Sequence, residues 1–284
     1  TQVPAALRDS ILPVSGTNVE RLASELLVDE LVVAVDEQRG LALETLLPWK
    51  TNGIPVFEFN AFIERETGRV DLRWLELSYL LFSNGFQIRL MDAGLKRMMD
   101  ILVSLVALLV SLPVLVISAA AIVLEDFGPV FYRQTRVTQG GRTFWIYKLR
   151  TMRTDAEKFG AQWAEEDDPR ITRVGRILRR TRVDEIPQLF NVLIGQMSLV
   201  GPRPERPLFG DYLSKKIRLY SLRHNVKSGL TGWAQINYPY GASEEDARRK
   251  LEYDLYYMKN YSLLRDLSIM LQTFRVLIWP QGVR

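Results

Sequence analysis

The apolar positions of this chain concentrate in one place. Ile101–Leu124 runs for twenty-four residues without a charge and is interrupted at its centre by Pro113. A run of that length reads as a membrane segment rather than a soluble core helix. Arg89, Lys96 and Arg97 precede it, and Arg133, Arg136, Arg142, Lys148 and Arg150 follow it. Cations favour the cytoplasmic side, so basic flanks at both ends place both ends on one side. Pro113 removes a helical N–H and supplies the bend that a re-entrant hairpin requires. The first arm, Ile101–Leu112, reaches about 18 Å at the helical rise, roughly half a membrane plus headgroups. A kinked full span and a buried soluble helix are the alternatives.

Elsewhere the pattern is that of globular protein. Glu20–Val28 has helical spacing, Leu31–Val35 reads as a strand, Leu41–Leu47 as a helix and Ile54–Phe59 as a second strand. Strand, helix and strand with short connections imply a parallel pair. No Gly-rich first turn accompanies it, so no nucleotide site is expected there. Asp71–Phe82 is expected to be a helix packing leucines and aromatics. After the apolar run, Val130–Val137 and Thr143–Leu149 flank the turn Gly140-Gly141 and predict a β-hairpin. Pro169–Val183 carries Arg170, Arg173, Arg176, Arg179, Arg180 and Arg182 without an acid, with Ile171, Val174, Ile177 and Leu178 at helical spacing. That is a cationic amphipathic helix suited to an anionic membrane surface; nucleic-acid binding is the weaker rival. Gly195–Glu205 and Gly229–Asn237 read as turn-rich loops. Glu244–Tyr261 reads as an exposed or interfacial helix, and Leu263–Trp279 as a more apolar one anchored by Trp279.

Composition narrows the chemistry. The 284 residues are 47% hydrophobic and 25% charged, an ordinary balance for a soluble body carrying one apolar hairpin. Thirty-seven Lys+Arg against thirty-three Asp+Glu give +4, which suits anionic lipid or phosphate. Without cysteine there are no disulfides, thiolate metal sites or Cys nucleophiles, and a single His224 makes His-based triads unpromising. The chain opens on Thr1 within a folded-looking pattern, so it is expected to be a fragment or a processed form.

Two constellations remain. Strand alternation puts Lys148 and Arg150 on one face, where two cations clamp a diphosphate or simply face solvent beside headgroups. Behind the arginine-rich helix the sign flips at Asp184-Glu185, followed by Pro187. Read locally, Asp184 is an N-cap and Glu185 a first-turn acid. Read chemically, a carboxylate kept ionised by cations and a helix start is a nucleophile for phosphorus, and paired carboxylates are also ligands for Mg²⁺. The prolines of Pro202-Arg203-Pro204-Glu205 stiffen a loop in which Arg203 and Glu205 offer polar recognition.

Taken together and in order, these segments resemble the bacterial monotopic phosphoglycosyl transferases, the polyprenyl-phosphate sugar-1-phosphate transferases of exopolysaccharide and O-antigen assembly. The resemblance covers about Lys96 to the C-terminus. It rests on Lys96-Arg97-x-x-Asp100, GPVFYRQTRV, Lys148-x-Arg150-Thr151-Met152, Arg182-Val183-Asp184-Glu185-Ile186-Pro187-Gln188, Ser198–Glu205 and GLTGWAQIN. The family's kink uses a Ser-Pro pair, whereas this chain has Ser111-Leu112-Pro113.

The resemblance implies an α+β fold. A mostly helical, membrane-associated catalytic domain (128–284) would follow a re-entrant helix-break-helix (91–127) and a partial Rossmann-like α/β module (1–90). It implies transfer of a sugar-1-phosphate from a UDP-sugar to polyprenyl (undecaprenyl) phosphate, releasing UMP through a covalent intermediate on Asp184. Glu185 would assist, Mg²⁺ would sit at Asp184 and Glu185, and Lys148 and Arg150 would hold the phosphates. Arg203, with Pro202, Pro204 and Glu205, would contact the nucleotide. Lys96, Arg97, Asp100 and Pro113 would shape the hairpin at the cytoplasmic face of the bacterial inner membrane, among membrane lipids and without nucleic acid. A homodimer is the default assembly. The competing class is a catalytically inactive membrane scaffold of polysaccharide assembly.

Overall fold

A computed structural model describes residues 27–34, 43–75, 77–86, 90–156, 168–239, 241 and 243–278. The chain divides into two compact units, Thr1–Leu75 and Glu76–Arg284. In the first, β1 (Leu31–Val33), α1 (Leu43–Thr51) and β2 (Val56–Glu58) form a strand–helix–strand unit, with α2 (Phe59–Thr67) behind it. β1 and β2 are parallel in the register Leu31↔Val56, as the short connections predict. The helix expected over Glu20–Val28 lies outside the described residues except for Leu27 and Val28, which are not helical. Asp71–Phe82 is not one helix. Asp71 instead accepts from the Arg73 backbone N–H at 3.0 Å and from its guanidinium, a local turn that competes with helix formation.

The second unit begins with α3 (Leu77–Phe82), and α4 follows over Leu90–Asp126. Its next elements are β3 (Phe131–Val137), β4 (Thr143–Leu149), α5 (Arg173–Arg180), α6 (Gln188–Leu193), β5 (Ser198–Val200) and α7 (Pro207–Lys216). The unit closes with β6 (Gly229–Thr231), α8 (Trp233–Asn237), α9 (Glu244–Lys259) and α10 (Leu263–Ile278). The molecule is therefore a mixed helical protein with small two-stranded sheets, an α+β architecture. The β3–β4 hairpin has the expected register and turns at Gly140 and Gly141, both at positive φ. Trp279 lies outside the described residues.

α4 is long and apolar enough to cross a membrane by length and composition. It is continuous through Pro113, where the sequence leads one to expect a break; a proline bends a helix without having to end it. Asp100, Ser104, Ser118 and Ile122 are buried on one stripe, with Ser111 half-buried between them, so three serines recur every seven residues where the helix packs. Leu102, Val106, Leu109, Val110, Val116 and Ile117 on the other faces are exposed. Both ends are tied to the same unit. At the start, Lys96 pairs with Asp266 at 2.6 Å, Arg97 donates to the Val192 and Leu193 carbonyls, and Asp100 accepts from Ser198 Oγ and the Leu199 N–H. At the other end, Asp126 pairs with Arg150, and Glu125 accepts from the Arg173 and Val174 N–H groups that open α5.

The core gathers β4, α6, β5, α8, α9 and α10 around Phe144, Ile146, Val192, Met197, Val200 and Ile269. β5 and β6 pair in parallel, so the two segments read from sequence as loops are joined through short strands. Their backbones touch. A Cβ on Gly229 would lie 2.1 Å from the Gly201 nitrogen, closer than any real contact. Gly229→Ala is accordingly expected to destabilise the protein by about 1–3 kcal/mol, read as a lowered melting temperature. An unchanged melt would mean that the two strands separate at no cost.

Candidate active site

The site is built where the amphipathic helix ends. Thr172 caps α5, its hydroxyl accepting from the Gly175 N–H at 2.9 Å. Gly175 then lets the helix lie against the Thr151 carbonyl, which a Cβ would meet at 2.1 Å. Arg182 stands at φ 57°, ψ 13°, unusual for a residue with a side chain, and turns the chain out of α5 into the 3-10 turn Val183–Glu185. Ile186 and Pro187 keep helical angles, so the run continues into α6. The pair Asp184-Glu185 is thus one turn upstream of α6, not its N-cap; Pro187 holds that place without a capping side chain.

Glu185 is the hub. Its Oε1 accepts from Lys148 Nζ at 2.9 Å and from the Arg203 guanidinium at 2.8 Å, with Arg182 at 3.9 Å. Burial alone would raise its pKa, but Arg203 and Lys148 hold the carboxyl well below the usual range. Burial also lowers the Lys148 ammonium, and Glu185 offsets part of that effect. Asp184 differs. It is buried, and its Oδ1 has no hydrogen-bond partner. Burial pushes its carboxyl up, Glu185 pushes it further, and Lys148, Arg179 and Arg182 pull it back. Two adjacent carboxylates therefore have opposite environments, one saturated by cations and one left open.

The Pro-Arg-Pro loop is held by its own carbonyls. Pro202 accepts from the Gly229 N–H at 2.9 Å, Arg203 from Arg223 at 3.1 Å, Pro204 from Arg136 at 3.1 Å and Glu205 from the Val137 N–H at 2.9 Å. Arg223 is itself buried among Asp254 at 2.9 Å, Tyr220 and Glu205. Burial brings Arg136 down to about 10, with Glu205 opposing.

Of the residues expected from sequence, Lys148, Asp184, Glu185 and Arg203 come together. Arg150 makes its ion pair elsewhere, with Asp126, and donates to the Pro129 carbonyl at 2.6 Å. β4 ends at Leu149, so strand alternation does not carry Arg150 onto the face that Lys148 shares with Glu185. Lys96, Arg97 and Asp100, expected to shape the apolar hairpin, root the start of α4. Sequence reasoning missed Arg223 and Asn191. Asn191 is fully buried and joins α6 to β4: its Oδ1 accepts from the Tyr147 N–H, and its Nδ2 donates to the Trp145 carbonyl. The signal was available as one polar residue inside the apolar Leu189–Leu193.

Both carboxylates suit a Mg²⁺ ion only in part. Among the described residues no three His, Asp or Glu side chains converge. Asp184 Oδ1 offers an open buried oxygen, and Mg²⁺ commonly takes one or two carboxylates plus substrate phosphates. The donor set fits an ion that arrives with a diphosphate.

The sequence is similar to proteins already known. The family described as bacterial sugar transferase matches residues 91–280. A UDP-N-acetylgalactosamine-undecaprenyl-phosphate N-acetylgalactosaminephosphotransferase of Aeromonas hydrophila is 43% identical over 234 residues, covering 81% of this chain and 54% of the relative. A putative undecaprenyl-phosphate N-acetylgalactosaminyl 1-phosphate transferase of Bacillus subtilis is 51% identical over 148 residues, covering 50% of this chain and 83% of its own. A UDP-glucose:undecaprenyl-phosphate glucose-1-phosphate transferase of Caulobacter vibrioides is 43% identical over 180 residues, 63% of this chain and 67% of its own. The chain thus spans about half the length of the Aeromonas relative.

Proposed function

Since the chain belongs to the bacterial sugar transferase family, we propose that it moves a sugar-1-phosphate from a UDP-sugar to undecaprenyl phosphate, releasing UMP. The observation that carries this reading is the open, buried Asp184 Oδ1 beside a Glu185 locked by Lys148 and Arg203. In the first half-reaction Asp184 Oδ1 attacks the β-phosphorus. An O–P bond forms, the bond from that phosphorus to the bridging oxygen breaks, and UMP leaves with the electron pair. In the second, an oxygen of the lipid phosphate attacks the same phosphorus and the carboxylate is restored. Neither step needs a proton at Asp184. Glu185, held ionised by two cations, is a poor proton donor at neutral pH and serves to position Lys148 and Arg203 toward the phosphates. Mg²⁺, held by the open Asp184 carboxylate together with the substrate, would supply neutralisation of the diphosphate charge.

The lipid acceptor lies at headgroup level, and we read α4 as the element that brings the site there. Its exposed faces are apolar and both its ends are tied to one body, which supports a re-entrant insertion with both ends at the cytoplasmic face of the inner membrane. The β1–α1–β2 unit is read as a Rossmann-like element, on the strength of its parallel strand pair.

The test is incubation with Mg²⁺ and a panel of UDP-sugars, with and without undecaprenyl phosphate. UDP-N-acetylgalactosamine and UDP-glucose come first, as donors of the related enzymes. Intact-mass detection of a sugar-phosphate adduct without acceptor, and of UMP with it, supports the reading; silence of both with every donor removes it. The same assay has a pH signature. Asp184 must be ionised, and burial raises its pKa, so activity is expected to fall on acidification above the ordinary Asp range. In Glu185→Gln the neighbouring negative charge is gone and Lys148 loses its partner, both of which favour the Asp184 carboxylate. The acid limb of the remaining activity should then move to lower pH, and a shift upward would contradict this electrostatic account.

A further inference from the structure

The buried polar atoms without partners include two on one short stretch: Asp184 Oδ1 and Gln188 Nε2. Gln188 is 2% exposed and Asp184 6%. They lie four residues apart on the helical run that passes through Ile186 and Pro187 into α6, with Ile186 N–H donating to Val183 O and Leu189 N–H to Ile186 O. Helical side chains lean over the preceding turn, and for Gln188 that is the turn carrying Asp184. A buried donor left without an acceptor costs about 1–3 kcal/mol, so it persists where something other than stability keeps it.

The two orphans are complementary in kind. Asp184 offers an electron pair, and Gln188 offers an N–H. A tetrahedral phosphoryl group answers both at once, with an electrophilic phosphorus for the first and a non-bridging oxygen for the second. Lys148 and Arg203 are already engaged on Glu185 and Arg179 on the Thr151 hydroxyl, which leaves the carboxamide as an uncommitted neutral donor on the turn after the nucleophile. Resting on the transfer reaction above, we propose that Gln188 is a further catalytic residue, its carboxamide donating to a non-bridging oxygen of the phosphoryl group that Asp184 attacks. The balance is unchanged: the O–P bond to Asp184 forms, the bond to UMP breaks, and the carboxamide keeps both its protons. Its contribution grows as negative charge builds on the oxygen, so it acts on the chemical step more than on substrate capture.

The discriminating substitution is Gln188→Met, close in size and without the donor. A residue kept for packing would lose stability on that change, whereas a residue kept for a ligand would not, since the orphaned donor disappears. The full chain in detergent, with a UDP-sugar, Mg²⁺ and undecaprenyl phosphate, is assayed for UMP release alongside wild type, Asp184→Asn and Gln188→Glu. The proposal expects Gln188→Met to lower kcat about a hundredfold. Its KM for the UDP-sugar should stay within about threefold and its melting temperature should be unchanged or higher. Gln188→Glu, which sets an anion against the phosphate, is expected to be slower still. Wild-type kcat in Gln188→Met, or a kcat loss matched by a lowered melt in both variants, overturns the proposal while leaving the transfer reaction intact. Full activity in Asp184→Asn would instead bring down the reaction on which it rests.

Discussion

Asp184→Asn is expected to lower the rate of UMP release about a thousandfold or more and to abolish any sugar-phosphate adduct, while leaving the fold intact. The substitution is isosteric and removes the anionic oxygen that forms the bond to phosphorus in the proposed reaction, which no neighbour supplies. Lys148 and Arg203 remain on Glu185. The protein should also be somewhat more stable, because burial and Glu185 together disfavour the Asp184 carboxylate and an amide carries no charge to be disfavoured. A rise in melting temperature together with loss of activity marks a group retained for chemistry. Activity within tenfold of wild type would exclude Asp184 as the nucleophile.

The largest loss of stability is expected from Arg223→Met, at about 3–5 kcal/mol. Arg223 is buried, its guanidinium shared by Asp254, Tyr220 and the Arg203 carbonyl. Removing it strands Asp254, whose carboxyl burial has already pushed up to about 6. The sign follows from that shift. An acid with a raised folded pKa binds its proton more tightly when folded, so stability falls as pH rises from its unfolded value through about 6. Without Arg223 the carboxyl rises further and that window widens. The destabilisation should therefore be larger at pH 8 than at pH 5 in paired denaturation curves. An equal loss at both pH values would show that the guanidinium matters for packing rather than for its charge.

The elements legible in the sequence were those with a local cause. The apolar run, the hairpin around Gly140-Gly141 and the cationic helix ending near Arg180 each declare themselves through period or turn chemistry. The helix over Leu263–Ile278 does so as well. What stayed hidden depends on distant partners. Ser198–Val200 and Gly229–Thr231 are three-residue strands, too short to carry a period, and exist because each completes the other. Likewise Lys148 and Arg150 look equivalent in sequence, and they separate because Asp126, at the end of a long helix, claims one and Glu185 the other. In the candidate site the acids and Arg203 were readable from charge pattern and family motif. Arg223 was not, since a buried arginine twenty residues away leaves no local trace of what it holds.

The root of the apolar helix has a consequence for how the molecule is assembled. Lys96 finds its carboxylate at Asp266, a hundred and seventy residues further along the chain. Asp100 meets Ser198 and Leu199 about a hundred residues on. During synthesis the helix therefore emerges long before Asp266, Ser198 and Leu199, its distant partners at this end, exist. In the proposed membrane setting its apolar faces can partition at once, while its polar foot stays hydrated until α10 docks. In that setting the depth of insertion is expected to depend on the finished tertiary structure, and so to respond to substitutions at Asp266, far from the apolar run in sequence.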